Sequence, residues 1–73
     1  MLDVDVMPVA KIIELVGSSP KSFEDAVAQA LKEAAKTVKD IRGVEVMGFT
    51  AKVDGDRISE FRADVKIAFG VKR

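Results

Sequence analysis

Ile58-Ser59-Glu60-Phe61-Arg62-Ala63-Asp64-Val65-Lys66-Ile67-Ala68-Phe69-Gly70-Val71 alternates more regularly than any other part of the chain. Phe61, Ala63, Val65, Ile67, Phe69 and Val71 fall on one face of an extended strand, and Glu60, Arg62, Asp64 and Lys66 on the other. A strand with one apolar and one charged face needs a layer on one side only. Asp54-Gly55 supplies the turn before it, because Gly tolerates positive φ and Asp caps its own turn. Val44 to Val53 reads as the strand that enters that turn, with Val44 and Val46 on one face and Met47, Phe49, Ala51 and Val53 on the other.

Upstream the period changes. Phe23, Ala26, Val27, Ala30, Leu31, Ala34, Val38 and Ile41 recur at spacings of three and four, which makes one helical stripe. Ser22 is the expected N-cap, with Asp25 three residues on as its capping-box partner. The reading places a helix from about Phe23 to Lys39, with Gly43 as its terminator. The stripe is rich in Ala and lacks a basic flank, so it is a core face and not a membrane face. Gly17-Ser18-Ser19-Pro20 is read as a break. Before it, Val9 to Val16 reads as a strand with Ile12 and Val16 on one face and Ile13 and Leu15 on the other. Residues 1–8 read as an irregular or edge segment, since Pro8 lacks the N–H of a central strand. The expected fold is α+β, with order βαββ. Right-handed crossover rules put the third strand in the centre of an antiparallel three-stranded sheet that wraps one amphipathic helix. Residues 1–73 are read as a single domain.

The chain has 73 residues, 12 Lys plus Arg against 12 Asp plus Glu, and neither Cys nor His. A core of this size supplies roughly 3–5 kcal/mol unaided. Disulfides and thiolate zinc sites are excluded by composition, so self-association is the expected source of further stability. A net charge of zero gives no counterion-release drive toward nucleic acid. The opening residues carry two acids and no basic n-region, so no signal peptide is expected. No apolar run approaches the ~20 residues of a membrane span. A cytoplasmic location is the expectation.

Three stretches carry a family resemblance. They are Ile13-Glu14-Leu15-Val16-Gly17-Ser18-Ser19-Pro20-Lys21-Ser22-Phe23-Glu24, Asp40-Ile41-Arg42-Gly43-Val44-Glu45-Val46, and Phe61-Arg62-Ala63-Asp64-Val65-Lys66-Ile67-Ala68-Phe69. In register over Ala10 to Val71, they resemble the dodecins. The resemblance implies a hollow homododecamer of βαββ subunits. Flavin-binding members stack the ring on a Trp after the helix and read its edge with a Gln on the third strand. Here those positions are Gly43 and Arg62. This combination, with Asp40-Ile41-Arg42, is similar to the branch described as calcium-binding dodecins. The resemblance therefore implies a shell that stores or buffers a small ligand or ion at subunit interfaces, with calcium as a possible ion and riboflavin or its mononucleotide bound weakly or not at all. It carries no calcium-ligand set.

The candidate ligand positions are Gly43, Val44, Glu45 and Arg62, which match the flavin site. The candidate oligomer contacts are Arg42, Glu60, Asp64 and Lys66. Arg62 reads either as a guanidinium that holds an anion or ring carbonyl, or as one member of the charged ladder Glu60-Arg62-Asp64-Lys66. Asp54, Asp56 and Glu60 lack the spacing of an EF-hand, and turn chemistry accounts for Asp54-Gly55. Ser18, Ser19 and Ser22 have no His to act as base, and no paired catalytic carboxylates are evident, so no enzyme is expected. Two other readings stand beside the storage shell: a purely structural oligomeric module, and a flavin-binding dodecin despite the two substitutions.

Overall fold

The computed structural model describes residues 9–71; the segment read as 1–8 lies outside them. The elements follow in the expected order: β1 (Ala10–Ser19), α1 (Phe23–Ala35), β2 (Ile41–Asp54) and β3 (Arg57–Gly70). The sheet order is β1-β3-β2, both pairings antiparallel, so the best-patterned strand is central. β3 keeps its faces as read: Ala63, Val65 and Ile67 are fully buried toward α1, with Phe61 and Phe69 partly buried.

The helix begins as expected. Ser22 has extended backbone and its hydroxyl accepts from the Asp25 N–H at 2.9 Å, which satisfies one of the orphan donors of the first turn. The Asp25 carboxylate is engaged elsewhere: Ser19 Oγ donates to its Oδ2 at 2.6 Å, and Ser19 Oγ in turn accepts from the Lys21 N–H. This small network fixes the passage from β1 into α1.

Four sequence readings are corrected. First, Gly17-Ser18-Ser19 does not break β1; these residues pair with Ala63, Arg62 and Phe61. The reason for Gly17 is the helix above it: a Cβ there would meet the Ala26 carbonyl oxygen at 2.0 Å and the Ala30 Cβ at 2.9 Å. Gly17 thus belongs to the stripe of small residues that lets α1 lie close on β1. Second, α1 stops at Ala35, four residues short of Lys39, and the last carbonyls are taken by the Lys36, Thr37 and Val38 N–H groups. Third, the residue that redirects the chain is Asp40, at φ 64°. Asp tolerates this left-handed region better than most residues. Its carbonyl accepts from Gly70 N–H and its carboxylate pairs with Arg42 at 2.9 Å. Gly43 lies inside β2, and Ile41 opens that strand and does not continue the helix.

The fourth correction concerns the faces of β2. Register shifts fall between Ile41 and Gly43, Val46 and Gly48, and Lys52 and Val53. A bulge adds one residue and resets the alternation. Val44 and Val46 oppose Ile67 and Val65, and Phe49 and Ala51 oppose Ala63 and Phe61. Cross-strand partners share a face, so all four lie on the helix side, with Met47 as the extra residue. Phe49 confirms this by packing on Phe23 of α1 at 4.8 Å between centroids, beside the edge-on Phe23–Phe61 pair at 4.9 Å.

Pairing of Asp54 with Arg57 closes the β2–β3 hairpin over Gly55-Asp56, with Gly55 at φ 71°. The buried core is Ala26, Ala30, Ala34, Ala63, Val65 and Ile67, flanked by Ile13, Leu15, Val27 and Ile41. Among the described core residues only Val65 and Ile67 are large, and each contributes about 1.5–3 kcal/mol when fully buried. Outside this core Ile12, Val16, Val46, Met47, Phe49, Val53 and Ile58 are exposed in the single chain.

Candidate functional site

The face of the sheet away from α1 is ordered by the strand register into cross-strand rows. Ile12, Ala68 and Gly43 form one row; Glu14, Lys66 and Glu45 the next; Val16, Asp64 and Gly48 the third; Ser18, Arg62 and Thr50 the fourth. Glu60 and Lys52 lie opposite one another beyond it. This pattern decides which sequence-predicted residues meet.

Gly43 and Glu45 share this face, and Val44, whose side chain lies on the helix side, joins them only as the residue between the two. With Ile12, Lys66 and Ala68 they line a shallow depression of about 230 Å³. Its origin is the absence of side-chain bulk: Ala68 is the floor, and a Cβ built at Gly43 would meet nothing within 4 Å. One acid and one cation, Glu45 and Lys66, stand at its edge. Lys66, read from the sequence as an oligomer contact, is therefore a member of this site. Ile12 was not singled out from sequence, because its place beside Gly43 depends on the β1-β3-β2 order and on the bulge at Arg42.

Arg62 lies apart from the depression, two rows away. Its Nη2 donates to Glu60 Oε1 at 3.1 Å, so the ladder reading is the one the geometry favours. That hydrogen bond, with a further one from Ser18, holds the Glu60 carboxyl below its ordinary range. Arg42 sits at the first β2 bulge, paired with Asp40. Asp64 faces Val16 and Gly48, neither of which offers it a hydrogen bond. Its Oδ1 is shut from solvent and receives no hydrogen from an N–H or hydroxyl among the described residues. The nearby Glu14 carboxyl is shifted upward, first by its hydrogen bond with Asp64, then by the Asp64 charge and partial desolvation, with Lys66 opposing.

A larger hollow of about 650 Å³ opens on the helix side, between the turn after α1 and the end of β3, lined by Thr37, Val38, Lys39, Asp40, Phe69 and Gly70. None of the sequence-predicted site positions falls in it. Among the described residues no group of three or more acids is gathered to hold a metal ion, and no helix is long and apolar enough to cross a membrane. Calcium takes six to eight oxygens, so the donors of one copy do not make up a calcium site. Nor do they fit a stacked flavin ring: the depression has no aromatic wall, and the chain has no Trp or Tyr.

An open antiparallel sheet of three strands wrapped on a single helix, with a shallow depression on its far face, is the βαββ architecture of a small class of proteins. The dodecin family model matches residues 9–72, and the chain belongs to that family. It is 33% identical over 66 residues to the calcium dodecin of Mycobacterium tuberculosis, covering 90% of this chain and 93% of that protein. The solved structure of a calcium dodecin from that organism, described as calcium chelating, superposes with a TM-score of 0.77 at 34% identity, over 88% of this chain and 91% of that one. A Thermus thermophilus protein superposes with a TM-score of 0.86 at 28% identity, over 89% and 96% of the two chains.

Proposed function

We propose that the chain is a non-enzymatic dodecin that assembles with copies of itself, most simply as a homododecamer, and holds a small ligand or ion where the outer sheet faces meet. The observation that carries the reading is the exposed outer face itself. Ile12 and Val16 stand 56% and 63% exposed there, next to the depression over Gly43. A core with two fully buried large side chains leaves a single copy short of stability. The face carries Glu14, Glu45, Glu60 and Asp64 together with Lys52, Lys66 and Arg62, so it offers both signs of charge to a like copy. Gly43, Val44 and Glu45 line the ligand position, with Lys66 beside them. Arg62, Glu60, Asp64 and Arg42 act in contacts between strands and copies.

Calcium is the first ion to test, because a relative of more than 30% identity carries it in its name; its ligands would be shared between copies. Flavin binding is weak or absent on this reading, since stacking of the order of 1–3 kcal/mol per ring is missing. Calorimetry of the purified oligomer with calcium, and fluorescence quenching of riboflavin, test both halves. Saturable calcium binding with little riboflavin quenching is the expected pair of results. Tight stoichiometric quenching, with no heat on adding calcium, would overturn it in favour of a flavin carrier.

A further inference from the structure

We propose that the outer-face contact between copies is proton-linked: Glu14 enters it as a neutral acid that donates its proton to Asp64. This rests on the assembly reading above and adds its regulation. Glu14 lies on β1 between Ile12 and Val16, and all three share one face. A second copy that covers the two exposed aliphatic side chains must also cover the carboxyl between them. Burying an unpaired carboxylate is costly, and a carboxylate cannot donate to another carboxylate. Asp64, one row along on β3, has an oxygen that no N–H or hydroxyl reaches. A protonated Glu14 answers both demands with a single O–H···O bond.

The surrounding charges do not remove the need for the proton. On β3 the neighbours of Asp64 are Lys66 and Arg62, and Arg62 is turned to Glu60. Lys66 stands between Glu14 on β1 and Glu45 on β2. One lysine therefore faces three carboxylates, Glu14, Glu45 and Asp64. Helix α1 lies on the other side of the sheet and contributes no charge to this row. The upward shift of Glu14 already present in the single copy has the direction that covering the face would increase.

The sign follows from linkage. Closing the contact takes up a proton, so association is favoured at acid pH and weakens as pH rises through the Glu14 value in the interface, above the ordinary 4.5. Between the single-chain and the interface value of Glu14, each pH unit raises the dissociation constant about tenfold for every Glu14 the contact covers, and above the interface value the dependence levels off. Sedimentation of the full chain across mildly acidic to alkaline buffers reads this directly. Glu14→Gln and Asp64→Asn each supply a fixed amide donor in place of the proton, so both variants are expected to change less than about twofold over the same range. A wild-type oligomer indifferent to pH would overturn the linkage while leaving assembly standing. Loss of assembly in both amide variants, with helical circular dichroism intact, would also overturn it. Monomers at every pH in wild type and variants would overturn the assembly reading as well.

Discussion

Gly17→Ala adds one methyl group where the structure has no room for it. The new Cβ would sit 2.0 Å from the Ala26 carbonyl oxygen and 2.9 Å from the Ala30 Cβ. Neither neighbour is the end of a flexible side chain. Relief requires α1 to lift from β1 by more than an ångström, and lifting it loosens Ala26, Ala30 and Ala34 together, which are half of the six core residues. Overpacking costs typically 1–3 kcal/mol. A clash with helix backbone, in a core holding only two large buried side chains, belongs at or above the top of that range, so we expect a loss of about 3 kcal/mol. The assay is urea unfolding followed by circular dichroism at one fixed protomer concentration, because association shifts the midpoint. Gly48→Ala is the control. A Cβ there meets nothing within 4 Å and φ is not positive, so the change should be neutral or stabilise by up to about 1 kcal/mol. A Gly17→Ala midpoint within about 0.5 kcal/mol of wild type would refute the close helix–strand packing on which the fold is argued.

Other expectations follow from single contacts. Ser22→Ala removes the N-cap bond to Asp25 and should lower stability by about 1 kcal/mol in the same unfolding assay. Ser19→Ala strips the buried hydroxyl that both donates to Asp25 and accepts from Lys21, and should cost roughly 1–3 kcal/mol; no measurable change would mean the network is not formed. Glu60 has a lowered carboxyl value through Arg62, so its contribution is present above the ordinary 4.5 and is lost as pH falls through the lowered value. Glu60→Gln should therefore flatten the acid limb of a melting-temperature profile. Gly43→Trp should be tolerated, since φ there is not positive and the space is open. It should also raise riboflavin quenching by restoring a stacking wall, and an unchanged titration curve would show that the depression is not where a ring can sit.

Most of the fold was legible because its signals are local and periodic. Strict alternation from Phe61 to Phe69 marks the central strand, the Ala-rich stripe after Ser22 marks the helix, and Asp54-Gly55 marks the hairpin. What misled was residue type where tertiary contact decided the matter. Gly17 looks like punctuation, but its glycine answers the approach of Ala26 and Ala30 from 9 and 13 positions on. Gly43 looks like a helix stop, whereas Asp40 turned the chain through a left-handed conformation open to few other side chains. The faces of β2 were misread because period-two counting cannot see a bulge at Met47. The candidate site shows the same division. Gly43, Val44 and Glu45 are contiguous and were named together, but Ile12 and Lys66 join them only through strand order. Arg62 was placed with them by resemblance, and its register puts it two rows away with Glu60.

Sedimentation velocity of the full-length chain at micromolar concentration in mildly acidic buffer tests the central claim, that the exposed outer face exists to be covered by another copy. The account predicts one sharp boundary for a closed assembly, with twelve chains of 7.9 kDa giving about 95 kDa. A single slow boundary at the mass of one folded chain would contradict it.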